Sequence, residues 1–348
     1  MCGSRLAGTL SLSLLWACAV LPGVASVKAQ TSPAAQERTF EFLYQVRVPA
    51  ASAAGSCYLW IPVPQSDAYQ EIRDLRLLSA AAYKLVRDPE YGNQIAQFTP
   101  SAEQAAAGYD VQLRFAVTRH EHRVLRDGAA LPHVPAPSRD ALLGRYLQAD
   151  RLVPLDGVIA DLSRAKTAGA ATPLEKARRV YDYVVATMRY DKSGEGWGHG
   201  DAICACTSKR GNCTDFHSLF IGMMRATGIP ARFEIGFPIP GDKSHGEIYG
   251  YHCWAEFYLD DVGWVPVDAS EAWKNPANKE YFFGAHDSNR VFFTYGRDLR
   301  LSPAQKGAPL NYFIYPYAEA NGQPLQNLQT HFSFRDLPRN AAVSAATR

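Results

Sequence analysis

Neither sign of charge dominates this chain. Its 348 residues carry 36 lysines and arginines against 34 aspartates and glutamates, a formal +2, with no long run of either sign. A basic footprint of the kind nucleic acids require is missing, so no nucleic-acid partner is expected. Beyond residue 29 no uncharged apolar stretch reaches the roughly 20 residues of a spanning helix. The mature chain is therefore expected to be soluble, with no membrane span. There is no internal repeat, which excludes a solenoid or propeller. No EF-hand-type acidic loop is present, so no metal and no cofactor is expected.

What is present begins with a leader. Arg5 supplies a positive start, residues 6–20 are nearly all apolar or small, and Val27, Lys28 and Ala29 fit a small-residue cleavage site. Residues 1–29 read as a secretory signal, which predicts a periplasmic or secreted protein. Cys18 is a possible lipid-attachment site, although Trp16 just before it fits that poorly. Export implies an oxidising compartment, where cysteines tend to pair. After cleavage Cys57, Cys204, Cys206, Cys213 and Cys253 remain. An odd number leaves one thiol free. The arithmetic closes if Cys213 is that thiol and one of Cys204 or Cys206 bridges Cys253.

Phe40, Phe42, Tyr44, Val46 and Val48 alternate with polar residues, the period of a half-buried strand. With strands at 57–64 and 110–117 and turn signals between them, residues 38–130 read as a β-sandwich-like module. The proline-rich stretch 131–137 is the expected boundary. From there 138–317 reads as a second, catalytic domain, and 335–348 as a disordered tail. Helices are predicted at about 140–147 and 155–165. A third is signalled by Thr172 as cap, Pro173 in the first turn and Glu175 closing a capping box. Phe216, Leu219, Phe220, Met223 and Met224 then recur at helical spacing, and Gly228 with Pro230 ends the run. Strands follow at 251–259 and 264–268, joined by a turn at 260–263.

Chemistry concentrates in 211–268. Cys213 falls at the start of the Phe216 helix, after a Gly211-Asn212 lead-in read as capless. The helix dipole and free backbone N–H groups there lower a thiol's pKa and can hold an oxyanion. His252 lies on the following strand pair, and a simple register sets it opposite about residue 271, within two pairs of Asp268. An aspartate so placed can hold an imidazole in its working tautomer. His217, four residues after Cys213 on one helix face, competes as the base. Asp215 reads as a first-turn acid. Cys204, Cys206, Cys213 and His217 also offer soft ligands at short range, though not at a common zinc spacing.

In these residues the chain resembles the transglutaminase-like superfamily. The resemblance rests on 211–220, on Arg225 through Arg232, on His252, Cys253, Trp254, Ala255, Glu256 and Phe257, and on 263–268. It implies an α+β fold, an N-terminal β-sandwich-like module followed by a papain-like core. It also implies Cys213 as nucleophile, His252 as base and acid, and Asp268 as orienter, and leaves His217 a structural role. Trp197 and Trp254 become candidates for substrate binding or the oxyanion site. The expected activity is acyl transfer on an amide, a peptide bond or a glutamine carboxamide, through a Cys213 thioester, with hydrolysis favoured. The substrate is then a peptide, a protein or a cell-wall peptide. The alternatives are protein cross-linking by γ-glutamyl transfer and a non-catalytic binding module on the same fold.

Overall fold

Alternation along residues 37–48 builds the first sheet. In the computed structural model Glu37–Val48 is a strand whose Phe40, Phe42, Tyr44, Val46 and Val48 are all buried, while their neighbours stay partly or fully exposed. The model describes residues 36–51, 56–126, 129–130 and 143–338. The leader with Cys18, the expected boundary at 131–137 and everything from 339 onward lie outside the described residues.

Glu37–Val48 pairs on one side with Tyr109–His120, Phe42 opposite Phe115, and on the other with Gln329–Asp336, Phe42 opposite Phe334. Gln70–Ser79 and His245–Glu247 complete five strands. A second five-stranded sheet is built around Cys57–Pro62, flanked by Gln94–Thr99 and Tyr317–Ala320. Both sheets thus take strands from beyond the block 38–130, because alternation along a strand does not say which partner will cover its edge. Arg335 and Asp336, expected to open the tail, are strand residues, and Asp336 accepts a hydrogen bond of 2.9 Å from Arg38 Nε.

The remaining core is a four-stranded antiparallel sheet in the order Gly263–Val267, His252–Leu259, Ala231–Pro238, Arg290–Tyr295. Against it packs the helix Cys213–Ala226, whose residues through Arg225 are all buried. A helix apolar on every side needs cover on every side. Gly157–Thr167, Pro173–Thr187 and Ala202–Ser208 supply it. The expected helix at 140–147 is, in its described part, a short 3-10 turn, Arg145–Leu147. The Thr172 cap forms, but Glu175 turns back to the Ala171 N–H rather than closing the box.

One apolar core joins these layers. Phe42 of the first sheet lies 5.2 Å from Phe237 and 5.7 Å from Phe293 of the four-stranded sheet, ring centre to ring centre. Rings of this size at this spacing dominate core energetics. The blocks on either side of the proline-rich stretch therefore share their interior. Among the described residues, no helix is long and apolar enough to cross a membrane.

Candidate active site

Cys213 is the first residue of the central helix. The lead-in read as capless is a full cap: Asn212 accepts from the Thr214 N–H at 2.8 Å, and Asp215 reaches back to the Asn212 N–H at 2.8 Å. Asparagine's short amide does what serine does at this position. Asp215 is more than a first-turn acid. Its carboxylate also accepts from the N–H groups of Gly198 and Gly200, at 2.6 and 2.9 Å, and so pins the glycine-rich loop across the helix start. Gly211 makes room: its φ of +153° and the Asp215 side chain standing where a Cβ would be admit only glycine.

The two strands expected to carry the histidine and the aspartate pair with Ala255 opposite Val267. Pairing ends there, and Asp268 becomes the cap of the short helix Ala269–Lys274. Its Oδ1 accepts from the Glu271 N–H and Ser270 Oγ at 3.0 and 3.1 Å. Its Oδ2 accepts from His252 Nε2 at 2.7 Å and Arg290 Nη1 at 3.1 Å. With Nε2 so engaged, Nδ1 of His252 is the nitrogen left for the Cys213 sulfur, to which the ring is hydrogen-bonded. Hydrogen bonding from Cys253 stabilises that sulfur's charge too.

The electrostatics follow from these contacts. Burial alone would raise the Cys213 thiol, but hydrogen bonds from Cys253 and His252 and the imidazolium's charge bring it well below the usual thiol range. Burial works against a charge on His252, yet the Asp268 carboxylate beside it pushes its pKa up to about 10. Asp268 itself, despite burial, is held well below the usual carboxylate range by His252, Arg290 and His217. The favoured state is a thiolate and an imidazolium side by side, the form in which a cysteine attacks a carbonyl.

His217 is also buried near Asp268, but its ring is fully committed. Nε2 accepts the Ala269 N–H at 3.1 Å, so Nδ1 carries the proton and donates to the Cys213 carbonyl at 2.8 Å. Trp254 is corrected as a candidate for substrate contact. It is 0% exposed, and its indole N–H donates to Glu234 at 2.6 Å. Trp197 is half-buried on the loop that Asp215 holds, with the Lys192 ammonium 5.9 Å from its ring. The expected bridge to Cys253 is likewise corrected, since all five described cysteines are free. Cys253 faces Thr214 and His217 under the helix, whereas Cys204 and Cys206 neighbour Gly196 and Lys209. For the same reason Cys204, Cys206, Cys213 and His217 do not converge on an ion. Among the described residues only His122, Glu256 and His286 are grouped closely enough to hold one.

Three residues of the site carried no signal strong enough to find. Arg290 braces Asp268 from a strand that approaches only in the fold. Tyr251 bonds Thr214 Oγ1 at 2.7 Å and Asn212 Nδ2 at 3.1 Å, tying the histidine strand to the helix start. Tyr190 has its hydroxyl pKa raised by burial and by the Cys213 charge. Its place just after the Pro173–Thr187 helix was the available clue.

Comparison with known proteins agrees with this geometry. Residues 160–269 match the model of the transglutaminase-like superfamily. Over 324 residues the chain is 29% identical to a protein of Haemophilus influenzae that carries no functional description, covering 83% of this chain and 87% of that one. Over 80 residues it is 34% identical to the YebA protein of Bacillus subtilis, also without a functional description, covering 20% and 11%. Its fold is similar, at 16% identity and a TM-score of 0.60, to a candidate cysteine protease from Cytophaga hutchinsonii, covering 87% of this chain and 92% of that one. Over residues 160–269 the chain is thus similar to the transglutaminase-like superfamily.

Proposed function

We propose that the protein is an exported cysteine enzyme that hydrolyses amide bonds through a thioester on Cys213. The observation that carries this reading is the continuous chain Cys213–His252–Asp268, closed by the 2.7 Å bond from Nε2 to Oδ2. The thiolate adds to the carbonyl carbon of a peptide bond or glutamine carboxamide, and the carbonyl oxygen takes the negative charge. The Cys213 backbone N–H, at the first turn of a capped helix, is placed to receive it. Collapse expels the amine, which takes its proton from His252 Nδ1. His252, now neutral, draws a proton from water as it attacks the thioester, and the acid and the thiolate are restored. Asp268 keeps the imidazole in one orientation throughout and is not itself protonated. Trp197, at the edge of the pinned loop, is proposed to line the approach to the sulfur.

Water is the favoured acceptor because no cluster of residues in the site reads as a seat for an amine. The leader of residues 1–29 supports export to the periplasm or beyond. The substrate class that suits this chemistry is a peptide, including a cell-wall peptide.

Incubation with glutamine-containing peptides, with and without a primary amine, read by mass, tests the reaction. Loss of ammonia or backbone cleavage is the expected result, and amine addition would assign cross-linking instead. Cys213→Ala is expected to abolish turnover. A Cys213→Ala protein with full amide turnover would overturn the reading. Iodoacetamide labelling near neutral pH checks the thiolate: a binding module without catalysis should label slowly.

A further inference from the structure

A second cluster of reactive side chains lies behind the catalytic strand. His122, Glu256 and His286 come from distant stretches of sequence, yet one ligand atom of each lies within 4.8 Å of the other two. They are 4%, 2% and 0% exposed. His122 follows the long strand Tyr109–His120 of the first sheet and pairs, backbone to backbone, with His286 of the core. Glu256 stands on the catalytic strand, four residues after His252 and on the same face.

Two imidazoles and a carboxylate form a donor set that suits zinc. His122 Nδ1 lies 3.1 Å from Glu256 Oε1. Two ligands of one tetrahedral zinc, each bonded at about 2.0–2.1 Å, stand about 3.3 Å apart, so this pair already has the required spacing. The other Glu256 oxygen is held by Arg232 Nε at 2.8 Å, an outer partner that fixes the carboxylate with Oε1 toward His122. Neither ring nitrogen of His286 makes a hydrogen bond of ordinary geometry. A buried imidazole without a partner is a cost that a bound ion removes. Three guanidinium groups, Arg119, Arg232 and Arg290, and the carboxylates of Asp67, Glu234 and Asp268 face the trio.

We propose that His122, Glu256 and His286 bind one zinc ion, which ties the first sheet to the strand that carries His252. Binding draws ligand atoms that lie within 4.8 Å of one another to a separation of about 3.3 Å. The site does not depend on the amide chemistry. It was illegible in sequence because His122 lies more than a hundred residues before Glu256 and His286, and the three follow no local spacing.

The test uses full-length protein carrying Cys213→Ala, so that zinc held on the thiol does not count. After metal depletion, zinc is titrated against a chromogenic chelator, and the bound metal is counted by mass spectrometry. One zinc per chain and a raised Tm are expected. In the same background His286→Gln is expected to lower affinity at least a hundredfold. If His286→Gln does not fold, cobalt in the Cys213→Ala protein gives the second readout. A tetrahedral visible spectrum without thiolate charge transfer supports the site. No stoichiometric zinc, a folded His286→Gln that keeps it, or a thiolate band in the cobalt spectrum would each overturn the proposal. The trio would then be a hydrogen-bonded pair beside an unsatisfied histidine.

Discussion

His252 and His217 are two buried histidines on opposite sides of one carboxylate. Nε2 of the first is 2.7 Å from Asp268 and Nε2 of the second is 3.7 Å away. Both lie near Cys213. They differ in what occupies the remaining nitrogen. On His217 both nitrogens belong to the backbone, one donating to Cys213 and one accepting from Ala269. Burial then pushes its pKa below the usual histidine value. On His252 the bond to Asp268 uses one nitrogen and leaves the other for the thiol. Proximity to a nucleophile and an acid is common to both, and a free nitrogen is what separates a proposed base from a staple.

The comparison can be broken experimentally. The largest effect is expected from His252→Ala, with amide turnover falling about 10⁴-fold or more while the circular dichroism spectrum is kept. If His217→Ala showed that loss and His252→Ala did not, the assignment would be reversed. Next comes Asp268→Asn, with a loss of about 10³–10⁴-fold and a shifted pH profile. The active pair needs a charged imidazole, so wild-type activity should fall as pH rises through about 10, the His252 value. Removing the carboxylate that raises it should move this alkaline limb toward about 6.5. A limb that stays in place would show that Asp268 does not set the histidine's charge. His217→Ala should act mainly on stability. It leaves the Ala269 N–H unpaired, at about 1–3 kcal/mol, while the Cys213 carbonyl keeps its helical bond and activity per folded molecule falls less than tenfold. Thermal melts beside kcat at matched folded fraction separate the two effects. The smallest change is expected from Asp215→Asn, which faces an amide N–H₂ toward at least one of three backbone donors. Faster hydrogen exchange at Gly198 and Gly200, with a few-fold drop in activity, is the outcome to look for.

Local patterns made part of this legible. The alternating face of residues 37–48, the Thr172 cap and the helical spacing after Cys213 are short-range signals, and each led to an element that is present. The turn at 260–263 set Asp268 near His252 to within a residue of register. What sequence could not show comes from the third dimension. Trp254 was a candidate through the family resemblance, yet Glu234 and Arg290 close over it. Arg290 reaches Asp268 across a sheet whose order no local spacing encodes. The split into a β module and a core treated neighbours in sequence as neighbours in space, and the strands after residue 316 do not obey it.

That last departure bears on how the molecule comes into being. Arg38 and Asp336 are joined across the first sheet although 298 positions separate them. While the chain is being synthesised, the strand at 37–48 waits with one edge open until residues 329–336 have been made. Pairings this distant close slowly and leave strand edges exposed meanwhile. Assembly of the first sheet is thus a late event, and a chain stopped short of residue 329 would hold the three reactive residues without the strand that closes the sheet packed behind them.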